Sequence, residues 1–147
     1  MVPSSRIISA NLELPSDKAR DFLQLDENEK VFKIERVRLA DGSPMCFETT
    51  YISRDLCPDI DRYVDEKASL YKLYEEHYKL NLNYGEIYLE AEICPKKYLK
   101  YLEIPPNSAV LKMQCVVYVA NRKPLYYVES YYIGEKYVFF ASMPRKL

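Results

Sequence analysis

Alternating apolar and polar positions divide most of the chain into strands. A period of two predicts strands at residues 6–14, 30–39, 45–52, 86–93, 109–119, 125–133 and 138–143. Ser16 is a good N-cap for a short helix that carries Ala19, Phe22 and Leu23 on one face. Pro95 opens a second short helix, and helical spacing across residues 69–80 predicts a third.

The order strand, helix, strand, strand occurs twice along the chain. Pairs of matching residues recur at an offset of about 79 or 80 positions: Pro15 with Pro95, Leu25 with Ile104, Asn28 with Asn107, and Pro44 with Pro124. Neither unit alone has enough strands to bury a sheet face. The pattern predicts an α+β fold, with one antiparallel sheet built from two related β-α-β-β halves and helices on one face. The alternative is that two generic units resemble each other by chance.

The strand at residues 30–39 carries candidate chemistry. Arg36 and Arg38 are two residues apart, so they point to the same face as Phe32 and Ile34. Two guanidinium groups beside apolar neighbours can form an anion clamp, because each offers bidentate donors. The alternative is a solvated strand face with scattered charge.

Glu48 joins this pair only if the hairpin has a particular register. A two-residue turn at Asp41 and Gly42 would place Arg36 opposite Phe47 and send Glu48 to the other face. A three-residue loop over 41–43 would place Arg36 opposite Glu48 instead, and Gly42 followed by Pro44 fits the longer loop and its bulge. We therefore expect the longer loop, with Glu48 beside Arg36.

Ser69 and Tyr71 lie where the third helix begins. Free backbone N–H groups and the positive end of the helix dipole gather there, which suits a phosphate or carboxylate. Ser69 as a simple N-cap and Tyr71 as a half-buried helix residue are the alternatives. His77, the single histidine, has no evident nucleophile or second ligand nearby in the sequence, so packing on the helix face is expected rather than catalysis.

Composition narrows the class of protein. The 147 residues suit one domain over 1–147, with residues 1–5 expected to be a linker or a remnant of cloning. The formal net charge of -1 shows no basic excess, so direct binding to DNA by this segment is not expected. No membrane span, metal site, cofactor site or catalytic set is expected either, and the four cysteines are expected to be reduced thiols of a cytoplasmic protein.

Three groups of residues together resemble a known family. They are Ile34 to Pro44 followed by Glu48 and Tyr51; Ser69-Leu70-Tyr71; and Pro124, Ser130, Tyr131, Tyr132, Gly134 and Tyr137. In this order and spacing, across residues 7–143, the chain resembles the UTRA domain, the effector-binding half of HutC-type GntR transcription regulators.

The resemblance implies a chorismate-lyase-like fold, a ligand pocket beside the sheet, a homodimer, and an N-terminal winged-helix DNA-binding domain that this chain lacks. In amino-sugar-phosphate sensors of the family, the positions of Arg36, Arg38, Ser69 and Tyr71 hold the phosphate. Those of Glu48 and Tyr132 face the sugar.

The chain departs from the family pattern at two positions. Tyr126 stands where such sensors carry a glutamate, and Ile133 stands where a basic residue is usual. The resemblance therefore implies that the anion clamp is kept while the polar end of the pocket is altered, so a sugar phosphate or carboxylate other than an amino sugar is expected.

The leading hypothesis is the effector-sensing and dimerisation domain of a GntR-type repressor, without enzymatic activity. One alternative is a lyase that acts on a carboxylated ring, using the same arginine pair and Glu48. The other is a dimerisation module that binds no ligand, with its tyrosine-rich strands at the interface.

Overall fold

The computed structural model describes residues 1–142 of the chain. Six strands are formed: β1 (Pro3–Glu13), β2 (Val31–Ala40), β3 (Ser43–Ile52), β4 (Leu82–Ile93), β5 (Ala109–Val119) and β6 (Lys123–Ile133). The helices are α1 (Asp17–Leu23), α2 (Leu70–Lys72, continued by a π-helical turn Leu73–His77) and α3 (Leu99–Leu102, preceded by a 3-10 turn Lys96–Tyr98). Two further 3-10 turns cover Ile60–Arg62 and Ala120–Arg122.

All six strands join one antiparallel sheet in the order β1-β2-β3-β6-β5-β4. The antiparallel sheet predicted from the alternating pattern is confirmed. The central pair, β3 and β6, joins a β1-α1-β2-β3 side to a β4-α3-β5-β6 side, so the same order of elements runs outward from the middle in both directions. That the two sides are related by duplication stays a prediction.

The first strand and the last predicted strand differ from their predicted boundaries. Strand β1 begins at Pro3, because Pro3 pairs with Ala40 and Ser5 pairs with Arg38. The expected linker over 1–5 is therefore wrong for residues 3–5, whose backbone belongs to the sheet. No strand forms over residues 138–142, and the last residue of the strand predicted at 138–143 lies outside the described residues.

The prediction of helices on one face is wrong, because the helices cover both faces. On one face, α1 packs through Ala19 and Leu23 on Tyr127, and the α3 region packs on Phe47. On the opposite face, the connection between β3 and β4, which contains α2, packs on Phe32 and Ile34. Buried Cys57, Ile60 and Tyr74 anchor this connection, and they leave the end of the face that carries Arg36 and Arg38 less tightly covered.

Candidate functional site

The β2–β3 hairpin sets the register of the charged residues. Arg36 pairs with Glu48, as predicted. The predicted three-residue loop is wrong: the turn consists of Asp41 and Gly42, whose φ angles of 50° and 78° suit a tight turn with two left-handed residues. The extra residue is Met45, which forms a bulge in β3 and shifts the register between the turn and Arg38. A bulge thus produces the pairing that the longer loop was expected to produce.

Glu48 binds both arginines. The Arg36 Nη2 atom donates to Glu48 Oε1, and Arg38 Nη1 lies 3.7 Å from Glu48 Oε2. The side chains of Arg36 and Glu48 are only 15% and 10% exposed, whereas that of Arg38 is 48% exposed. The buried Arg36 Nε has no hydrogen-bond partner among residues 1–142. The cluster therefore combines a shielded ion pair with one buried N–H donor that has no partner within the described residues.

Ser69 caps α2 on the other side of the site. Its Oγ accepts a hydrogen bond from the Lys72 backbone N–H at 3.3 Å, so the N-cap alternative describes its local role correctly. Accepting that bond leaves the hydroxyl proton available to a further acceptor. Tyr71 is 56% exposed, which is more than the half-buried helix residue that the spacing suggested.

A cavity of about 1060 Å³ lies between the sheet and α2. All seven candidate ligand-binding residues line it: Arg36, Arg38, Glu48, Ser69, Tyr71, Tyr126 and Tyr132. The structure thus brings together residues that are up to 96 positions apart in the chain. Their role in binding a ligand stays a prediction.

The wall that belongs to β5 and β6 is apolar and aromatic. Tyr126 stacks on Tyr74 with ring centroids 5.4 Å apart and an interplanar angle of 19°. Burial raises the pKa of Tyr126 to about 12, so its hydroxyl is protonated at neutral pH. Met113, Cys115 and Val128 complete this wall.

Several lining residues were missed by the sequence reasoning. Thr50 lies two positions after Glu48 on the same face of β3, so the strand period alone would have identified it. Lys67 precedes the cap of α2 and adds a third cation, while Glu66 accepts a hydrogen bond from the Ile7 backbone N–H at 2.9 Å. No periodicity in residues 53–69 pointed to either.

His77 lies away from the cavity lining. Its ring packs on Tyr63 at a centroid distance of 4.2 Å and contacts Tyr78 edge-on. This position agrees with a packing role on the helix surface.

Comparison with known proteins identifies the kind of domain. Residues 1–138 match the family model of the UTRA domain. The chain is 26% identical over 145 residues to the HTH-type transcriptional repressor NagR of Bacillus subtilis (strain 168), which covers 99% of this chain and 59% of NagR. It is 23% identical over 124 residues to the uncharacterized HTH-type transcriptional regulator YurK of the same organism, which covers 84% of this chain and 51% of YurK.

A solved structure of a GntR-family transcriptional regulator from Enterococcus faecalis V583 has a TM-score of 0.86 to this chain at 29% identity, covering 95% of this chain and 100% of that one. The chain spans between half and three fifths of the two curated relatives' lengths. Among the described residues, no helix is both long and apolar enough to cross a membrane.

Proposed function

The chain belongs to the UTRA domain family, and on this premise we propose that it senses a small anionic metabolite for a transcriptional repressor of the GntR family. The effector is a sugar phosphate or a carboxylate, and the domain does no chemistry on it. The DNA-binding part of the regulator is a winged-helix domain outside this chain. Such a regulator works in the cytoplasm, where it meets both metabolite and DNA.

One observation carries the proposal: Arg36, Arg38 and the hydroxyl of Ser69 line the same cavity. Arginine forks and hydroxyl donors match the several acceptor oxygens of a phosphate or carboxylate. Lys67 adds a third cation to this end, so the lining carries three cationic side chains against the two carboxylates of Glu48 and Glu66. The excess of positive charge favours an anion.

The contacts of Glu48 weigh against the alternative of a lyase. Its two carboxylate oxygens face the guanidinium groups of Arg36 and Arg38, so it is poorly placed to take a proton from a substrate. The cationic excess of the lining weighs against a ligand-free dimerisation module, because such a module has no use for cationic side chains around a cavity.

The proposal includes a homodimer. Exposed apolar side chains support it, since a contiguous apolar patch commonly marks an interface. On edge strand β4 they are Ile87, Leu89 and Ile93, which share one face, and further exposed apolar side chains follow β6 at Val138, Phe139 and Phe140. Light scattering should give twice the mass of the 17.4 kDa chain.

In this mechanism the effector favours one arrangement of the dimer and thereby moves the attached DNA-binding domains. A coupling free energy of about 1–3 kcal/mol is sufficient for such control. The chorismate-lyase-like fold and the common origin of the two β-α-β-β halves are also part of the proposal, supported by the element order that is repeated on both sides of the sheet.

A thermal-shift screen with sugar phosphates and carboxylic acids tests the proposal. A ligand at 100 times its dissociation constant should add about 2.7 kcal/mol to the free energy of unfolding. The shift should disappear in Arg36→Ala. It should persist in the control Arg62→Ala, which removes an exposed arginine from the 3-10 turn Ile60–Arg62, away from the cavity. If no compound stabilises the wild type more than Arg36→Ala, the proposal is wrong.

A further inference from the structure

Tyr74 carries a polar atom that the fold itself does not use. The residue is 2% exposed and lines the cavity, and its buried hydroxyl has no hydrogen-bond partner among residues 1–142. An unpaired buried hydroxyl costs free energy, and nearly all such groups in proteins have a partner. A partner from outside the chain would remove this cost.

The surroundings of Tyr74 keep its hydroxyl protonated and therefore able to donate. Burial raises its pKa well above the usual range, neighbouring Tyr126, Cys57 and Glu48 raise it further, and Arg36 lowers it. The hydroxyl is therefore protonated and neutral at physiological pH. Glu48, an anionic side chain of the same cavity, already has the guanidinium groups as partners.

The same wall disfavours charge in the ligand. Tyr74 stacks on Tyr126, and Met113, Cys115 and Val128 extend this surface without an ionised side chain. A cationic group placed here would lose its hydration without gaining a counter-ion. A neutral hydroxyl or carbonyl would lose little, provided that its oxygen meets a donor.

We propose that Tyr74 is a further ligand-binding residue and that it selects an anion whose body is uncharged and carries an oxygen acceptor. The inference rests on the proposed function: the arginines hold the anionic group, and Tyr74 donates to an oxygen of the body. The ligand class is accordingly a neutral sugar phosphate, and an ammonium-bearing sugar phosphate binds more weakly.

Calorimetric titration of Tyr74→Phe tests the role of the hydroxyl, with glucose 6-phosphate, glucosamine 6-phosphate and inorganic phosphate as probes. The wild type should bind the glucose compound at least about tenfold more tightly than the glucosamine compound. Tyr74→Phe should weaken glucose 6-phosphate binding about tenfold, the typical value of one hydrogen bond, and leave inorganic phosphate unchanged. The melting temperature of the ligand-free variant should equal or exceed that of the wild type, because no hydrogen bond is lost.

Tyr78→Phe is the matched control, since the Tyr78 hydroxyl donates to the Pro58 carbonyl at 2.7 Å outside the cavity. It should lower the melting temperature and leave binding of all three probes unchanged.

Unchanged binding of glucose 6-phosphate by Tyr74→Phe, or an equal loss for inorganic phosphate, would overturn the inference. A lower melting temperature of ligand-free Tyr74→Phe would do the same, since it would assign the hydroxyl a structural role. If the probes bind and depend on Arg36 but not on Tyr74, only this inference fails. If no probe binds the wild type, this inference fails, and the wider thermal-shift screen with carboxylic acids decides the proposed function separately.

Discussion

The β2–β3 and β5–β6 hairpins present equivalent positions to the cavity but line it with opposite chemistry. The cross-strand pair Arg36–Glu48 in the first hairpin corresponds, at the offset of about 80 residues, to the pair Cys115–Val128 in the second. Both pairs lie on the same face of the sheet and line the same cavity. One wall is therefore charged and the other apolar, although the strands pair in the same way.

The two hairpins therefore share the backbone geometry of the sheet and differ in the side chains that they offer for recognition. An apolar wall lowers the local dielectric constant, so the attraction between the arginines and an anion across the cavity is stronger than it would be in water. In the proposed function, the charged wall provides the affinity for an anionic group, and the apolar wall discriminates between the groups attached to it.

Removing Arg36, the central cation of the charged wall, should have the largest effect on stability. Arg36→Met leaves the carboxylate of Glu48, which is 10% exposed, without its closest partner, and we expect a loss of about 3 kcal/mol in the free energy of unfolding. Arg36→Met/Glu48→Leu, which makes this cross-strand pair as apolar as Cys115–Val128, should recover most of that loss. Urea unfolding measures both, and a single variant as stable as the wild type would show that the pair is not coupled.

Removing the outer cation should affect binding without affecting the fold. Arg38 is 48% exposed, so Arg38→Ala should change the free energy of unfolding by less than about 0.5 kcal/mol. The affinity for inorganic phosphate should fall about tenfold, which corresponds to about 1.4 kcal/mol. Cys115→Ala on the opposite wall is the control and should leave phosphate affinity unchanged. An equal effect of both substitutions would contradict the division between the walls.

The cysteines of the two hairpins should differ in their contribution to alkaline unfolding. Burial raises the pKa of Cys46 from about 9.0 to about 12, whereas half-buried Cys115 is raised less. In the unfolded chain the thiol ionises near pH 9, whereas in the folded chain it stays protonated. The free energy of unfolding is therefore unaffected by this thiol below pH 9 and falls as the pH rises towards 12. At pH 10 the loss of stability due to Cys46 is on the order of 1 kcal/mol.

Urea unfolding at pH 8 and pH 10 measures this loss. Cys46→Ala should make the free energy of unfolding less dependent on pH than Cys115→Ala does. The same dependence in both variants would contradict the assigned difference in burial.

The smallest expected effect concerns the turns of the hairpins. The first turn has Gly42 at a φ of 78°, whereas the second places Arg122 at 58°, a region that side chains disfavour. Arg122→Gly should therefore stabilise the protein by about 0.5 kcal/mol, less the contact of its guanidinium with the Tyr84 ring at 5.7 Å. Gly42→Ala should destabilise it by about 1 kcal/mol. Thermal unfolding compares the two, and equal signs would mean that backbone conformation does not control these turns.

The alternation of apolar and polar residues predicted the strands well because the two faces of each strand contact different surroundings. The pairing of Arg36 with Glu48 was predicted from the turn residues Gly42 and Pro44. They favoured a longer loop, and the bulge at Met45 shifts the register equally. Placing the helices on one face failed because the segment between β3 and α2 has no clear period. Its buried Cys57 and Ile60 pack on the sheet through contacts that only the tertiary structure defines.

Strand spacing, hairpin register and the predicted helix start singled out five residues of the cavity lining, Arg36, Arg38, Glu48, Ser69 and Tyr71, and the family resemblance added Tyr126 and Tyr132. Helical spacing placed Tyr74 inside the helix predicted across residues 69–80 but gave no reason to single out its hydroxyl. That the hydroxyl is buried without a partner depends on how α2 is set against β6, where Tyr74 stacks on Tyr126. Such three-dimensional facts have no signature in a single sequence.

The most direct test of the central claim follows the Arg36 guanidinium itself by nitrogen-15 NMR. The Arg36 Nε–H has no partner within residues 1–142, so a bound anion should shift its resonance strongly. Titration with inorganic phosphate should move the Arg36 and Arg38 Nε–H signals along one saturable curve, while the Arg62 signal stays in place. Signals of Arg36 and Arg38 that remain still, or move only in proportion to salt as Arg62 does, would contradict an anion site between the two walls.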